Sequence, residues 1–282
     1  MTALGVVFRP QLPPERLRAV AEVAEEAGLE QLWLWEDAFF EGGISTACAA
    51  LAWTGRPRVG LGLLPVPLRN VALTAMELAS LERMFPGRFL AGIGHGVQDW
   101  MGQAGVRAES PMTLLREYLI ALRALLRGER VTTEGRYVRL TDVALEWPPV
   151  TALPIYVGAV RSRTIRLAGE LADGLILDPG NTPDKVRAAR LTVDEARAAA
   201  DRVDRFDLVA GLTAATGPVA ADRVRAELTA WGHELVPELG VAGDADAVAE
   251  AVRRMADAGA DTVVLTPTGD EPDPEGFVRF VA

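Results

Sequence analysis

The chain has 282 residues, of which 49% are hydrophobic, and its formal net charge is −10. This length and composition suffice for one large core, whereas the acidic balance argues against a general nucleic-acid binder, which would present a basic surface. The first ten residues lack the basic segment of a signal peptide, and no apolar run approaches the roughly 18 residues of a membrane span. The composition therefore predicts a cytoplasmic protein that acts on a small molecule, with neither nucleic acid nor membrane as a partner.

Short apolar segments alternate with longer helical patterns along the chain. Strands are predicted at residues 4–8, 32–35, 59–64, 88–91, 154–157, 174–177, 208–212 and 262–265. Helices are predicted at residues 15–27, 45–53, 71–84, 111–126, 164–171, 183–200, 220–231 and 244–258. Such alternation without a linker predicts one domain over residues 1–282, an α/β (β/α)8 TIM barrel with a surface excursion near 131–145. The alternative is an open, doubly wound sheet.

The fourth predicted strand continues into three glycines, Gly92, Gly94 and Gly96, with His95 among them. Their G-x-G-x-G spacing misses the third glycine of the dinucleotide-binding fingerprint, and the following residues do not resemble a clean helix start, so a Rossmann domain is disfavoured. Glycines at a strand end leave backbone N–H groups open to a ligand. The segment is either such a cradle centred on His95 or a simple glycine-rich connection.

Polar residues follow several predicted strands, and in a barrel the loops after the strands share one face. Glu36 and Asp37 follow the second strand, where they fit an acid/base pair, a hydrogen-bonding pair or part of a metal site. Adjacent residues of an extended segment point to opposite sides, so only one of the two is expected to face the pocket. His95 is a candidate general acid or base, whereas His233, near a helix end, is assigned to the surface.

The fifth predicted strand is followed by a short loop that opens a helix. Its residues are Gly158, Ala159, Val160, Arg161, Ser162, Arg163 and Thr164. Backbone N–H groups at a helix N-terminus together with guanidinium groups form an anion site, so this loop fits a phosphate. The alternative is that Ser162 caps the helix and the arginines are solvated.

A metal site is the other chemistry considered. Glu36, Asp37, His95 and Asp178 could converge in a barrel mouth as oxygen and nitrogen ligands of a hydrolase or aldolase. The chain has no spaced cluster of His and Cys residues, so no metal is predicted.

Three segments resemble the bacterial luciferase-like superfamily, which contains flavin-dependent monooxygenases and oxidoreductases that depend on the deazaflavin coenzyme F-420. They are ERMFPGRFLAGIGHG at 82–96, PIYVGA at 154–159 with LAGELADG at 167–174, and GLGLLPVPLRN at 60–70. The resemblance implies a TIM barrel that binds a flavin or deazaflavin in its mouth. Members of this superfamily often form homodimers.

The resemblance also implies roles for individual residues. Gly62, Leu63 and Leu64 fall where the family has a non-proline cis peptide against the flavin ring, Gly94, His95 and Gly96 fall beside the ring, and Gly158 to Thr164 fall at the phosphate. The chain departs from the family at three places. Glu36-Asp37 replaces Asp-His, Asn70 replaces a histidine, and Val160 to Arg163 replace a Gly-Pro-Lys type of loop. The acid/base residue (Glu36, Asp37 or His95) and the substrate stay open.

Coenzyme F-420 is predicted over FMN because it carries anionic groups beyond the phosphate that both cofactors share. Arg161, Arg163 and Arg166 supply positive charge near this loop in an acidic protein, although Arg166 could instead pair with Glu170. The expected activity is hydride transfer between F-420 and a small organic substrate. The alternatives are an FMN-dependent monooxygenase and a non-catalytic flavin-binding member.

Overall fold

The computed structural model describes residues 2–282 and contains a closed barrel of eight parallel strands. The strands in chain order are β1 (Ala3–Val7), β2 (Gln31–Leu34), β3 (Arg58–Pro65), β4 (Phe89–Gly94), β5 (Val131–Glu134), β6 (Arg139–Val143), β7 (Ile155–Gly158), β8 (Gly174–Leu177), β9 (Asp207–Ala215), β10 (Gly240–Ala242) and β11 (Thr262–Pro267). The barrel runs β1-β2-β3-β4-β7-β8-β9-β11 and closes where β11 pairs with β1. The predicted TIM barrel is confirmed, and the open sheet is excluded.

Helices pack around this barrel. They are α1 (Leu17–Glu26), α2 (Gly43–Trp53), α3 (Val71–Met84), α4 (Gln98–Gln103), α5 (Pro111–Leu126), α6 (Ser162–Leu171), α7 (Pro183–Ala199), α8 (Ala220–Ala230), α9 (Ala245–Asp257) and α10 (Pro274–Val281). Side-chain caps fix several helix starts. Asn70, one of the departures from the family, accepts a hydrogen bond from the Ala72 N–H at 2.9 Å, and Asp244 accepts one from Ala247 at 3.0 Å.

Four features differ from the sequence-based expectation. Strand β4 extends to Gly94, so Gly92 and Gly94 are part of the sheet rather than of a loop. Helices α4 and α10 and strand β10 were not predicted. Helix α4 has only six residues, including a glycine, and β10 has three, so neither is long enough to show a hydrophobic period. The excursion is confirmed as an antiparallel hairpin of β5 and β6 outside the barrel.

A layer of large side chains fills the barrel below its mouth. Trp33 and Tyr156 meet edge to face with ring centroids 6.5 Å apart. Neighbouring glycines make room for them, because a β-carbon at Gly60 would lie 2.4 Å from Trp33 and one at Gly174 would lie 2.3 Å from Tyr156. This packed layer closes the barrel interior, so any ligand must bind above it, at the carboxyl ends of the strands.

Across residues 2–282, no helix combines the length and apolar character that a membrane crossing requires.

Candidate functional site

A cavity of about 640 Å³ opens at the carboxyl ends of the barrel strands. Twelve of the predicted site residues line it: Glu36, Asp37, Gly62, Leu63, His95, Gly96, Gly158, Ala159, Val160, Arg161, Arg163 and Thr164. Three predicted site residues, Leu64, Gly94 and Ser162, are not among its lining residues. Leu64 is buried in the core between the barrel and its helices.

The floor of the cavity is an irregularity in β3. The Gly62–Leu63 peptide bond is cis, as the resemblance implied, and the register with β4 shifts between Leu61 and Leu64. The Leu63 side chain reaches over β4 and β7, where a β-carbon would lie 2.5 Å from it at Gly94 and 2.2 Å at Gly158. The expectation that Gly94 leaves its backbone open to a ligand is therefore wrong. The two glycines make room for Leu63, because any larger residue would collide with it.

One side of the cavity, which we call the loop side, consists of residues 158–164 and His95. Helix α6 begins at Ser162, and its N-cap residue is Arg161, so Ser162 does not cap the helix with its side chain. Within residues 2–282, the N–H groups of Arg161, Ser162 and Arg163 have no hydrogen-bond acceptor. The first turn of α6 thus carries free donors beside the cavity.

Two of the three arginines predicted to form a cationic patch lie on this loop. Arg161 and Arg163 line the cavity, and neither forms an ion pair with any described residue. Arg166 does not line it and lies 3.6 Å from Glu195. The suggested pair with Glu170 is wrong, because Glu170 pairs with Arg116 at 2.6 Å. The positive charge available to a ligand is therefore that of Arg161 and Arg163.

His95 follows β4 and is half-buried on the loop side. Its Nε2 lies 3.2 Å from Thr164 Oγ1, whereas its Nδ1 is buried and has no hydrogen-bond partner among the described residues. Burial lowers the pKa of His95, and the nearby Pro111 carbonyl opposes this shift without reaching hydrogen-bond geometry. The imidazole is consequently neutral at pH 7, with one nitrogen still able to bind a ligand.

The two acidic residues after β2 differ in their surroundings, although both line the cavity. Glu36 is 8% exposed, and its Oε2 accepts hydrogen bonds from Gly43 N at 2.6 Å and Arg69 Nη2 at 2.9 Å. Burial raises the pKa of Glu36, while Gly43 and Arg69 oppose the shift. These contacts anchor the start of α2 and the turn before α3. The Oε1 of Glu36 is buried without a hydrogen-bond partner among the described residues, so the catalytic role of Glu36 stays a prediction. Both acidic residues line the cavity, and the expectation that only one of the pair faces the pocket is wrong.

Asp37 lines the cavity without any hydrogen bond or ion pair to the part of the chain that the structure describes. A turn follows it, in which the Phe40 N–H donates to the Asp37 carbonyl at 3.2 Å and Phe39 has a φ of 76°. The turn returns Glu41 towards Asp37. Burial, and then the neighbouring Asp37 charge, raise the pKa of Glu41 to about 7. Burial also raises the pKa of Asp37, and the charge of Arg9 opposes this shift. The two carboxyl groups therefore form an interacting pair next to the cavity.

The side opposite the loop, which we call the indole side, is built around Arg9 at the end of β1. The Arg9 guanidinium lies 5.4 Å from the Trp35 ring centroid and 6.0 Å from that of Trp231. Its Nη1 is 2.8 Å from Glu227 Oε1, which also accepts the indole N–H of Trp231 at 2.7 Å. Burial would raise the pKa of Glu227, but the Gly269 N–H, the Trp231 indole and Arg9 together lower it.

The sequence assigned His233 to the surface, and the structure places it on the cavity wall. Helix α8 ends in a reversal in which Gly232 has a φ of 74° and the His233 N–H donates to Leu228 O at 3.0 Å. The imidazole then packs on Gly180, where a β-carbon would lie 2.1 Å from its Cε1. The sequence signal that was available is the Trp-Gly-His run, since a glycine after a helix turns the chain back.

The ligand set considered for a metal is not assembled. Among residues 2–282, no three His, Cys, Asp or Glu side chains are placed so that they could hold a metal ion. Glu36 is already engaged by Arg69.

Comparison with known proteins identifies the family of this chain. The family model for luciferase-like monooxygenases matches residues 4–234. The chain belongs to this family.

The matching relatives include oxidoreductases. A 5,10-methylenetetrahydromethanopterin reductase from Methanolobus tindarius is 29% identical over 64% of this chain and 55% of its own. An F420-dependent glucose-6-phosphate dehydrogenase from Nakamurella multipartita is 32% identical over 70% of this chain and 62% of its own. The chain thus spans between half and two thirds of the length of these relatives.

Solved structures share the fold across the whole chain. An F420-dependent secondary alcohol dehydrogenase in complex with an F420-acetone adduct has a TM-score of 0.87 at 20% identity, and the match covers 100% of this chain and 98% of that one. An oxygenating component of a monooxygenase in complex with FMN also has this fold. The luciferase-like family membership and the barrel are thereby confirmed.

Proposed function

We propose that the protein is an oxidoreductase that transfers a hydride between coenzyme F-420 and a small organic substrate. The observation that carries this proposal is the loop side of the cavity, where free backbone N–H groups and two unpaired arginines adjoin an apolar floor. A cofactor with a flat ring and an anionic tail needs both features. The F-420-dependent relative supports the choice of cofactor.

The residues present fit such a cofactor. The N–H groups of Arg161, Ser162 and Arg163 at the start of α6 would bind its phosphate, since donors at a helix N-terminus favour an anion. Arg161 and Arg163 would bind the further acidic groups of F-420. Leu63 would support the ring from the floor, and the unpartnered Nδ1 of His95 would find a polar partner there.

When bound, the deazaflavin supplies the carbon centre that accepts or donates the hydride. The chain itself must hold the substrate and exchange a proton with it. Asp37 is suited to this proton transfer because it lines the cavity and has no partner among the described residues. Glu36 is not, since Gly43 and Arg69 engage its carboxylate. His95 stays neutral and lies on the cofactor side, where it would orient rather than titrate.

Equilibrium titration of the purified protein with F-420 and with FMN tests the proposal. We expect saturable F-420 binding with a shift of the deazaflavin absorbance, and at least about tenfold weaker binding of FMN, which lacks the anionic tail. Tight FMN binding without saturable F-420 binding would contradict it.

An FMN-dependent monooxygenase is the second candidate, and a structure with this fold in complex with FMN favours it. Both cofactors would place a phosphate at the same loop, so the fold does not discriminate between them. The two functions differ in oxygen consumption. A monooxygenase consumes oxygen with reduced flavin and substrate, whereas the F-420 enzyme does not. A cytoplasmic location and a homodimer remain predictions, and light scattering in solution tests the second.

A further inference from the structure

The charges on the indole side are unevenly compensated. Arg9 lies 2.8 Å from Glu227, and Arg69 lies 2.9 Å from Glu36 and 3.6 Å from Glu77, so each of these arginines is compensated by at least one carboxylate. Asp37 has no ion pair or hydrogen bond in the described chain and faces the same space. A ligand group that enters this side therefore meets a carboxylate that lacks an ion pair and a hydrogen bond, and the cation nearest to it, Arg9, is already paired with Glu227.

The topology separates this carboxylate from the free arginines. Arg9 and Asp37 follow β1 and β2, and Thr266 lies near the end of β11, whereas Arg161 and Arg163 follow β7 on the other side of the ring of strands. The loop-side arginines would be occupied by the cofactor tail if the proposed function holds. They would then be unavailable to a substrate bound beside Asp37.

The indole side also presents two aromatic rings and a threonine to the cavity. The indoles of Trp35 and Trp231 face the cavity beside the guanidinium of Arg9. Thr266 lines the same space at 1% exposure, and its Oγ1 is buried without any hydrogen-bond partner among residues 2–282. Indole surfaces favour flat apolar groups, and an unsatisfied buried hydroxyl gains free energy from a polar partner.

We infer that the indole side binds a flat apolar substrate group that carries a cation or an N–H or O–H donor for Asp37, and that it rejects anionic groups. This inference rests on the proposed function in one respect, because it assigns the loop side to the cofactor. A phosphorylated or carboxylated substrate group would meet Asp37 with like charge. A cationic group would form a charge-assisted hydrogen bond with it.

Three probes of similar size and different charge test the inference. Benzylamine is a cation at pH 7, benzamide is neutral and benzoate is an anion. Calorimetric titration of the protein, with and without saturating F-420, should rank their affinities in that order. We expect benzylamine to bind at least about tenfold more tightly than benzoate, the size of one charge-assisted contact.

A matched pair of variants assigns the preference to one residue. Asp37→Asn should weaken benzylamine binding about tenfold and leave benzamide within about twofold. Asp257→Asn is the control, since Asp257 is an exposed carboxylate at the end of α9, away from the cavity, and its loss should change neither affinity. Circular dichroism of both variants verifies that they fold.

Several outcomes overturn the inference. They are benzoate binding as tightly as benzylamine in the wild-type protein, an equal effect of Asp37→Asn on all three probes, and no saturable binding of any probe. The wild-type ranking stands even if the variant does not fold. The ranking is also independent of the cofactor: if F-420 fails to bind while the ranking holds, the proposed function is wrong and the substrate preference remains.

Discussion

The two sides of the cavity are built in opposite ways. Apart from His95, the loop side comes from a single segment, residues 158–164, whose ligand groups are backbone N–H donors and arginines without partners among residues 2–282. The indole side combines side chains that follow β1 and β2 with Thr266 near the end of β11 and others from α8 and the turn after it, and its arginine, Arg9, is already paired. The preformed ion pair between Arg9 and Glu227 makes the indole side rigid, whereas donors without acceptors give the loop side affinity for an anion. The contrast indicates that the loop side binds an anion through free donors, whereas the indole side offers aromatic surfaces and the carboxylate of Asp37.

Substitution of Arg9 in the Arg9–Glu227 ion pair is expected to have the largest effect, a loss of folding stability. Arg9 is 5% exposed, and Arg9→Met would leave the half-buried Glu227 without its cation. Loss of one partner of a buried ion pair costs about 3–5 kcal/mol of unfolding free energy. Denaturant unfolding monitored by circular dichroism measures the loss. F-420 affinity of the folded fraction should be unchanged, because Arg9 lies on the indole side.

The double variant Arg9→Met, Glu227→Gln is the matched control, since it removes both charges. It should recover much of the lost stability. If the single variant loses less than about 1 kcal/mol, the pair is not a structural anchor, and Arg9 would have to be reconsidered as a binder of anionic ligands.

The same contrast explains how much the sequence could predict. Eight β/α units and the loop after β7 were readable because each is a contiguous pattern, and the family resemblance located the cis bond at Gly62–Leu63. Arg9 directly follows a predicted strand, and this position is the sequence signal for its place at the barrel mouth. The contacts of Arg9 with Glu227 and Trp231 were not available. They join residues more than 200 positions apart, and a single sequence holds no signal for such pairs.

The side-chain contacts around the glycines could not be predicted from the sequence for a similar reason. Gly94 and Gly158 look like openings for a ligand, yet both lie against the end of the Leu63 side chain, which would have to move if either residue carried a β-carbon. A glycine in a strand indicates that another group lies close to the backbone, but it does not identify that group as a ligand or as a side chain of the protein.

Substitution of the two loop-side arginines is expected to have the second-largest effect, a loss of affinity for F-420. Arg161→Ala together with Arg163→Ala should weaken F-420 binding about 100-fold, roughly 2.7 kcal/mol for two charge-assisted contacts. FMN binding should fall less, because the backbone donors for its phosphate remain. Fluorescence titration measures both affinities, and higher ionic strength should weaken F-420 binding to the wild-type protein in the same direction.

Arg166→Ala serves as the control for this variant. Arg166 belongs to the same helix, but it is exposed, pairs with Glu195 and does not line the cavity. A similar loss of affinity in Arg166→Ala would indicate a general effect of net charge, and the assignment of the two loop arginines would then be wrong.

Glu41, at the edge of the indole side, is expected to make a smaller, pH-dependent contribution to folding stability. Its pKa is raised to about 7, so the folded protein holds a proton that the unfolded chain releases near its ordinary carboxyl pKa. Stability should therefore fall as the pH rises from about 4.5 to 7. Glu41→Gln should remove this loss and be more stable than wild type at pH 8 by about 1–2 kcal/mol, after allowance for the half-exposed position.

Below pH 4.5 the two proteins should unfold alike, because the Glu41 carboxyl is then protonated in both states. Glu26→Gln, which removes an exposed carboxylate on α1, is the matched control variant. A Glu41→Gln protein that is less stable than wild type at pH 8 would show that the carboxylate is satisfied and that its interaction with Asp37 is weak.

His95→Ala should have the smallest effect on folding, less than about 1 kcal/mol, because it removes a single neutral hydrogen bond to Thr164. The unpartnered Nδ1 contributes no favourable interaction to the folded state, so its removal offsets part of that loss. Turnover should fall nevertheless, since His95 lines the loop side where the cofactor ring would lie. Thermal unfolding and the absorbance of bound F-420 separate the two effects. A loss of several kcal/mol with an unchanged cofactor spectrum would make His95 a structural residue and would leave the loop side with backbone and arginine donors alone.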